Sequence, residues 1–517
     1  MSVDRREDWI TGLERFGDAR EALLFGGHRL DYAELGGAAR ATADRLAALG
    51  IEVGDLVAIL APPGIEAIVL IHAMLARGVV MLPLNARLTE PELREAISSA
   101  SPRYVVVPGA QARDVESRGR RLVRGSGCGL VAMDSGAEAA APALEICVAP
   151  SPEIDPVALA RREEQLEMRA AIVVRTSGTN GRPKGAVLGF DNLVASARAS
   201  AGLLGSDAGD RWLLCMPIFH IGGLSILIRS ALVGACVVLH ERFEAARVAR
   251  ALEDDGITRV SFVATMLERL LATRGTKRSP GSLSLVLLGG GPASEDLLRR
   301  AAVLGYPIAP TYGLSEAASQ VATRPPDRVV PDGEALCSGL VPLPGVAIRI
   351  VDANRANLGR GLEGEIEVRG PIVMHGYLDD PQATRDTIRE GWLSTGDVGR
   401  LDAAGRLRVF DRREDLILSG GENIYPAEIE SILLEVEGIL DAGVCGVPDP
   451  EFGARPAAFV SMREGIPFDP LLLVEHCRAR LAGYKQPVGF AAIDELPRTL
   501  TGKLRRRALR DLWEEKR

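Results

Sequence analysis

A layered α/β architecture built on mostly parallel sheets is the fold class that the sequence predicts, and three observations carry it. Short β-branched, apolar runs alternate with helix-spaced apolar patterns through the N-terminal part of the chain, which implies parallel strands covered by helices. After about residue 330 the texture changes to brief strand-like runs broken by Gly, Pro and Asp turns, the signature of a β-rich subdomain. From about residue 416 a further compact α/β unit of roughly a hundred residues follows.

The elements justify themselves in order. Residues 33–50 place apolar side chains at helical spacing and stop at Gly50, a helix end signal. "LVAILAPP" (56–63) then reads as a buried strand. "AIVLIHAMLARGVVMLPL" (67–84) is interrupted by His72 and Arg77, so its apolar run is too short to span a bilayer, and it reads as a buried helix running into a strand. Further strands are expected at 104–107, 171–174, 235–239, 259–263 and 283–288, with helices over 191–204 and 243–256. Residues 109–168 are poorer in pattern, and "GSGCG", "SGAEAAAPA" and "APSPEIDP" read as connecting loops. "VAIRIVD", "GEIEVRG" and "GRLRVFD" are the strands of the β-rich part. The terminal "LRRRALRDLWEEKR" aligns Leu504, Ala508 and Leu512 on one helix face, and its arginine run reads as a solvated face.

The 517 residues are enough for about three domains or subdomains with large cores, and 47% hydrophobic with 25% charged residues is ordinary globular composition. A net charge of −8 argues against a general nucleic-acid or anionic-membrane surface. The seven cysteines (128, 147, 215, 236, 337, 445 and 477) are odd in number and form no CxxC pair, which disfavours a zinc site or disulfide framework and fits a reducing compartment. The N-terminus is charged and lacks an apolar signal region. A soluble, cytoplasmic protein without a membrane span is therefore expected.

One stretch carries recognisable chemistry. "VVRTSGTNGRPKGAVL" (173–188) sets glycines, hydroxyls and a lysine between apolar residues. Glycines let the backbone approach an anion and turn its N–H groups inward, hydroxyls add donors, and lysine adds a mobile positive charge. The spacing completes neither familiar glycine-loop pattern. Lys184 follows Gly178 at the Walker A interval, but Pro183 and Gly185 stand where Gly and Ser/Thr belong, and GxGxxG is absent. An ordinary polar turn has similar composition. Three later segments add weight: "PTYGLSEAAS" (310–319) with Glu316, "WLSTGDVGRLDAAGRLRVFDRREDLILSGGENIYPAEIE" (392–430) with Asp397 and Arg412, and "LPRTLTGKLRRRAL" (496–509) with Lys503.

These four segments, in this order and over nearly the whole chain, resemble the acyl-adenylate-forming superfamily of acyl-CoA synthetases, amino-acid adenylation domains and luciferases. The resemblance implies a large N-terminal domain (1–411) of two helix-flanked sheets plus a distorted β-barrel. A hinge (412–415, with Glu414 as the pivot) and a small mobile α+β domain (416–517) complete it. It implies ATP, Mg²⁺ and coenzyme A as co-substrates and cofactor, with a small-molecule carboxylic acid as substrate. No nucleic-acid partner is implied, and a homo-oligomer is left open. By motif, Thr176, Ser177, Gly178, Thr179, Gly181 and Lys184 would hold the pyrophosphate portion of ATP, with Thr179 also in the catalytic set. Gly289, Gly290 and Gly291 would line the nucleotide and acyl groove. Tyr312 and Gly313 would border the adenine, and Ser315 would contact phosphate. Glu316 would ligate Mg²⁺, Asp397 would hold the ribose with Arg412 assisting, and Lys503 would be the adenylation lysine. Ser419, Gly420, Gly421 and Glu422 would form the loop beside the CoA thiol. Glu414, Asn180 and Ser315 depart from the commoner family residues but keep polar character.

"CMPIFHIGGLSIL" (215–227) matches the family segment bordering the acyl pocket, with Phe219 and His220 and no acid to hold an ammonium group, which disfavours an α-amino acid. His72, His240 and His476 read as core histidines. Together with "TMLERLL", "LVLLGGGPAS" and "TYGLSEAASQVAT", that segment is similar to the o-succinylbenzoate–CoA ligases of menaquinone biosynthesis. Ser319 and Gln320 would then meet the keto or second carboxylate group. Medium-chain fatty-acyl or benzoate-type ligases, and a stand-alone module loading a carrier protein, are the alternatives. A non-enzymatic relative would more readily have lost Lys184, Glu316, Asp397 or Lys503.

Overall fold

The computed structural model describes residues 8–114, 117–134, 143–149, 170–176, 184–290, 293, 295–326, 339–352, 354–411, 417–424, 426–497, 504 and 506–516. Two large sheets dominate it. One runs in the order Gly376–Tyr377, Lys184–Gly189, Ala170–Thr176, Val80–Pro83, Leu56–Ile59, Tyr104–Pro108, Gly129–Asp134, Ala143–Val148. Its central pairs are parallel, whereas Ala170–Thr176 meets Lys184–Gly189 as an antiparallel pair that places Thr176 opposite Lys184. The second orders Val341–Pro342, Ala322–Thr323, Ile308–Tyr312, Leu285–Leu288, Arg259–Phe262, Arg211–Leu214, Cys236–Leu239, Glu21–Phe25 and His28–Asp31. It too is parallel at its centre and antiparallel at both edges.

Helices cover these sheets because their apolar stripes have nowhere else to go. Tyr32–Ala48 starts on a capping box, in which Asp31 accepts from the Glu34 N–H and Glu34 accepts from the Asp31 N–H. Ile65–Arg77 ends on Gly78 at φ +75° and gives way to the strand Val80–Pro83, the helix-into-strand arrangement expected of 67–84. Together with Phe190–Leu204 and Ile221–Val233 they share one core with both large sheets. No helix among the described residues is long and apolar enough to cross a membrane.

The β-rich segment is an antiparallel sheet of Ala347–Val351, Gly364–Arg369, Trp392–Leu401, Ile388–Arg389 and Leu407–Asp411. The expected distorted barrel thus takes the form of a five-stranded sheet, tied by the Leu340–Leu407 bridge to the chain entering Val341–Pro342. The C-terminal unit is built on the long hairpin Ile439–Asp449 and Gly453–Met462, with Ile417–Ser419, Glu422–Ile424 and Phe490–Ala492 beside it. Helices Pro426–Leu433, Pro470–Arg480 and Arg506–Glu515 pack on this sheet. The expected hinge residues 412–415 lie outside the described residues.

Two expectations change. Residues 109–149 are not only loops: helices Gly109–Arg113 and Arg118–Val123 and strands Gly129–Asp134 and Ala143–Val148 extend the first sheet, while "SGAEAAAPA" up to Pro142 and 150–169 lie outside the described residues. The terminal helix buries Leu509 most deeply, with Leu504, Leu512 and Trp513 against it. Its arginine run is not wholly solvated, since Arg506 pairs with Glu430 and donates to the Val444 carbonyl at 2.7 Å.

Candidate active site

The C-terminal ends of the parallel strands in the second sheet bring several motifs to one edge, which is where open α/β sheets bind ligands. Leu285–Leu288 runs out into Gly289 and Gly290. A first side-chain carbon at Gly289 would lie 2.7 Å from Thr311 Cγ2, and Gly290 adopts φ +81° with Val263 2.8 Å from where its side chain would begin, so close packing against Thr311 and Val263 requires glycine at both positions. Gly291 lies outside the described residues.

Ile308–Tyr312 feeds the loop that carries Glu316. A side chain at Gly313 would begin 1.6 Å from the Ser319 carbonyl oxygen, so only glycine permits the loop to fold back on itself. Ala318 and Ser319 are held at φ +50° and +92°, a costly geometry for non-glycine residues and common at functional loops. Ser315–Ala317 forms one 3₁₀ turn that leaves Glu316 5% exposed. Its carboxylate accepts from Tyr377 Oη at 3.1 Å, and the Lys184 ammonium lies 4.8 Å from the Tyr377 ring centre. Tyr377, unmarked in the sequence reading, therefore joins the glycine-loop lysine to the Glu316 loop. Thr176 Oγ1 is buried at the mouth of the same loop with no partner among the described residues. Ser177, Gly178, Thr179 and Gly181 lie outside them.

On the other flank Tyr312 Oη donates to Asp397 Oδ2 at 2.7 Å, and both residues are buried. Asp397 also gives its N–H to Thr395 Oγ1 at 3.1 Å, which fixes its backbone in the strand Trp392–Leu401. Arg412 lies outside the described residues, as do Glu414 and Lys503.

His220 is the N-cap residue of Ile221–Val233, and Gly223 is required there because a side chain would meet the Pro217 carbonyl at 2.2 Å. The Phe219 and His220 rings pack at 4.6 Å. His220 Nε2 lies 3.4 Å from Glu422 Oε2, and Glu422 Oε1 accepts from Arg87 at 2.7 Å. The loop Ser419–Glu422 of the small domain therefore sits against the acyl-pocket motif, with Gly421 backed by Val263 and Met266. Burial alone would raise the Glu422 carboxyl, but the hydrogen bond to His220 and the charges of His220, Arg87 and Lys485 outweigh it and hold it below its ordinary value.

Gln320 does not face an open pocket as the sequence reading expected. It is 2% exposed, its Oε1 accepts from Ser200 Oγ and from Arg229 at 3.1 Å, and its amide donates to Thr323 at 3.0 Å. Arg229 lies over Trp212 at 4.5 Å. Burial, reinforced by the charge of Arg259, pushes it down to about 9. Nothing local in the sequence marks Arg229 as part of this wall.

The donor set fits a magnesium nucleotide. Glu316 offers a hard carboxylate oxygen, Thr176 a hydroxyl without a partner among the described residues, and Lys184 a positive charge.

Such a site defines an enzyme that handles an adenosine phosphate, and the chain belongs to the AMP-binding enzyme family: residues 11–378 match that family's model, and 428–503 match the AMP-binding enzyme C-terminal domain. It is 39% identical over 97% of its length to the 2-succinylbenzoate–CoA ligase of Bacillus licheniformis, covering 99% of that protein, and 36% identical over 98% to the Listeria monocytogenes enzyme, again covering 99%. Among solved structures, the o-succinylbenzoate CoA synthetase (MenE) of Bacillus subtilis, as a double mutant bound to the product analogue OSB-NCoA, superposes with a TM-score of 0.82 at 34% identity over 98% of each chain. The same synthetase with the acyl-adenylate OSB-AMP gives 0.66 at the same identity and coverage.

Proposed function

We propose that the chain is a cytoplasmic ATP-dependent ligase that converts o-succinylbenzoate to its acyl-AMP and then to its CoA thioester, a step of menaquinone biosynthesis. The observation that carries this reading is similarity to 2-succinylbenzoate–CoA ligases over nearly the whole chain, supported by a site in which Tyr377 joins Glu316 and Lys184, Tyr312 meets Asp397 and His220 meets Glu422.

The chemistry needs these residue types. A carboxylate attacking the α-phosphorus of ATP brings two anions together, so positive charge must lie between them. Lys184 and the Thr176–Lys184 loop hold the pyrophosphate as it departs, and Tyr377 keeps Lys184 and Glu316 in register. Glu316 would hold Mg²⁺, which when bound would neutralise phosphate charge as a Lewis acid. Asp397, oriented by Tyr312, takes the ribose hydroxyls. Lys503 approaches for adenylation only. His220 and Phe219 wall the acyl pocket, while Gln320 orders Arg229 and the strands behind it. The Ser419–Glu422 loop, docked on His220, borders the path of the thiol that opens the mixed anhydride. The greater likeness to the OSB-NCoA complex than to the OSB-AMP complex supports reading this arrangement as the thioester-forming one.

The test is AMP release from ATP over a panel of carboxylic acids, with and without CoA. o-Succinylbenzoate is expected to give CoA-dependent turnover. No turnover with it alongside turnover with benzoates or octanoate would replace the substrate. AMP release that is indifferent to CoA and needs a carrier protein would replace the acceptor.

A further inference from the structure

The small domain touches the large one through a buried charge cluster centred on Lys485, a residue that none of the motifs above contains. Lys485 lies in the turn Gly483–Lys485 of the small domain and is 7% exposed. Its Nζ donates to Glu428 Oε1 at 2.7 Å, on the helix Pro426–Leu433 of the same domain, and to Glu92 Oε1 at 2.9 Å, on the helix Glu90–Ala100 of the large domain. Glu92 reaches Lys485 with one oxygen only. Its other oxygen accepts the Thr89 N–H at 2.8 Å and closes the capping box of its own helix. Around this pair, Thr89 Oγ1 lies 3.1 Å from the Arg480 carbonyl and Asn85 donates to Tyr484 Oη at 3.2 Å. Arg87 stacks 5.0 Å from the Tyr484 ring centre while pairing with Glu422.

Resting on the ligase reading above, we propose that Lys485 is a positioning residue: by bridging Glu428 to Glu92 it holds the small domain in the orientation that brings the Ser419–Glu422 loop to His220. Two facts single it out from its neighbours. Arg87, the other cation at this seam, has a side chain 60% exposed, where an ion pair is screened and contributes little. The Lys485 side chain and that of Glu92 are each 9% exposed, so their attraction is poorly screened. The second fact is the sign of what remains without it. Removing the ammonium leaves Glu92 and Glu428, with Glu422 close by, facing one another in a poorly hydrated seam, and Glu92 belongs to the other domain. The penalty falls on the docked orientation and not on a rotated one in which Glu92 is left behind. A group that acts on one of two states shifts the equilibrium between them by that difference.

The test combines a substrate-free distance with the two half-reactions. Labels carried on unnatural amino acids at the exposed positions Ser98 and Ala479 report the inter-domain distance by electron spin resonance in the ligand-free enzyme. Lys485→Met is expected to cut the docked population and the rate of CoA attack on acyl-AMP by about tenfold, with ATP–pyrophosphate exchange within about twofold of the unmodified enzyme. Glu92→Gln keeps the capping box, since glutamine serves there as well, and is expected to show the same selectivity at about threefold. Lys485→Arg restores most of both. Circular dichroism melting identifies a Lys485→Met protein that fails to fold, in which case Glu92→Gln decides. An unchanged distance distribution in Glu92→Gln overturns the proposal. So does equal loss of both half-reactions, or a docked population missing from the unmodified enzyme. If the unmodified enzyme makes no acyl-CoA from any acid, the ligase reading fails while the distance measurement still decides the bridge.

Discussion

Tyr312 and Asp397 meet at 2.7 Å although 85 residues separate them, and Tyr377 meets Glu316 across 61. Such pairings mark what could be read from the sequence and what could not. Glu316, Asp397 and Lys184 sit inside contiguous motifs, so each is marked by its immediate sequence neighbours. Tyr377 stands in no motif: it acts through a chain crossing that folding alone creates. Gln320 is the complementary case, since a polar residue beside a site looks the same whether it faces the ligand or, as here, Ser200, Thr323 and Arg229 behind it. At this scale Lys503 carries the sharpest expectation. On the role proposed for Lys503 in adenylation alone, Lys503→Ala should lower adenylation by about 10²-fold or more and leave CoA attack on preformed acyl-AMP near the unmodified rate. Separate assays of the two half-reactions check this, and equal loss of both would refute a division of labour between Lys503 and the Ser419–Glu422 loop.

Elements were legible where their patterns were long. The helices over 190–204 and 245–254 and the strands Leu56–Ile59, Tyr104–Pro108, Ala170–Thr176, Cys236–Leu239, Arg259–Phe262 and Leu285–Leu288 lie within a few residues of their expected bounds, whereas the central strand Arg211–Leu214 lies where none is expected. The edge hairpin Glu21–Phe25 and His28–Asp31 was not foreseen, because its strands are short, charged and only half covered. The first helix, Trp9–Glu14, is also too short to announce itself. Its Trp9 Nε1 donates to His72 Nδ1 at 3.2 Å inside the core, beside the buried Leu13 and the Glu14–Arg40 ion pair. Burial pushes His72 down to about 4. The unfolded chain binds that proton below about pH 6.5 whereas the folded one refuses it until about pH 4, so stability is lost as pH falls through this window, by on the order of 3 kcal/mol. His240, also pushed to about 4 chiefly by burial, adds to the same slope. His72→Gln keeps an acceptor for Trp9 without the titration and should flatten the acid loss. Thermal midpoints compared at about pH 7 and about pH 5 measure it.

At the scale of the whole molecule the fold class and the order of its parts were readable, since strand–helix alternation and the later β-rich texture are properties of composition over long windows. The docking of the small domain was not, because Lys485 and Glu92 lie 393 residues apart with nothing local to mark either. If the present arrangement is the thioester-forming one, MgATP with o-succinylbenzoate but without CoA should lengthen the Ser98–Ala479 distance, and CoA should restore it. A distance indifferent to both would count against alternation of the domain. The divided carboxylate of Glu92 has a consequence of its own. Because Thr89 and Glu92 cap their helix with the same groups that meet Arg480 and Lys485, the first turn of Glu90–Ala100 senses from within the large domain where the small one stands. Amide hydrogen exchange at Thr89 and Glu92 should therefore be faster under conditions that favour the lifted domain, a readout built into the helix itself.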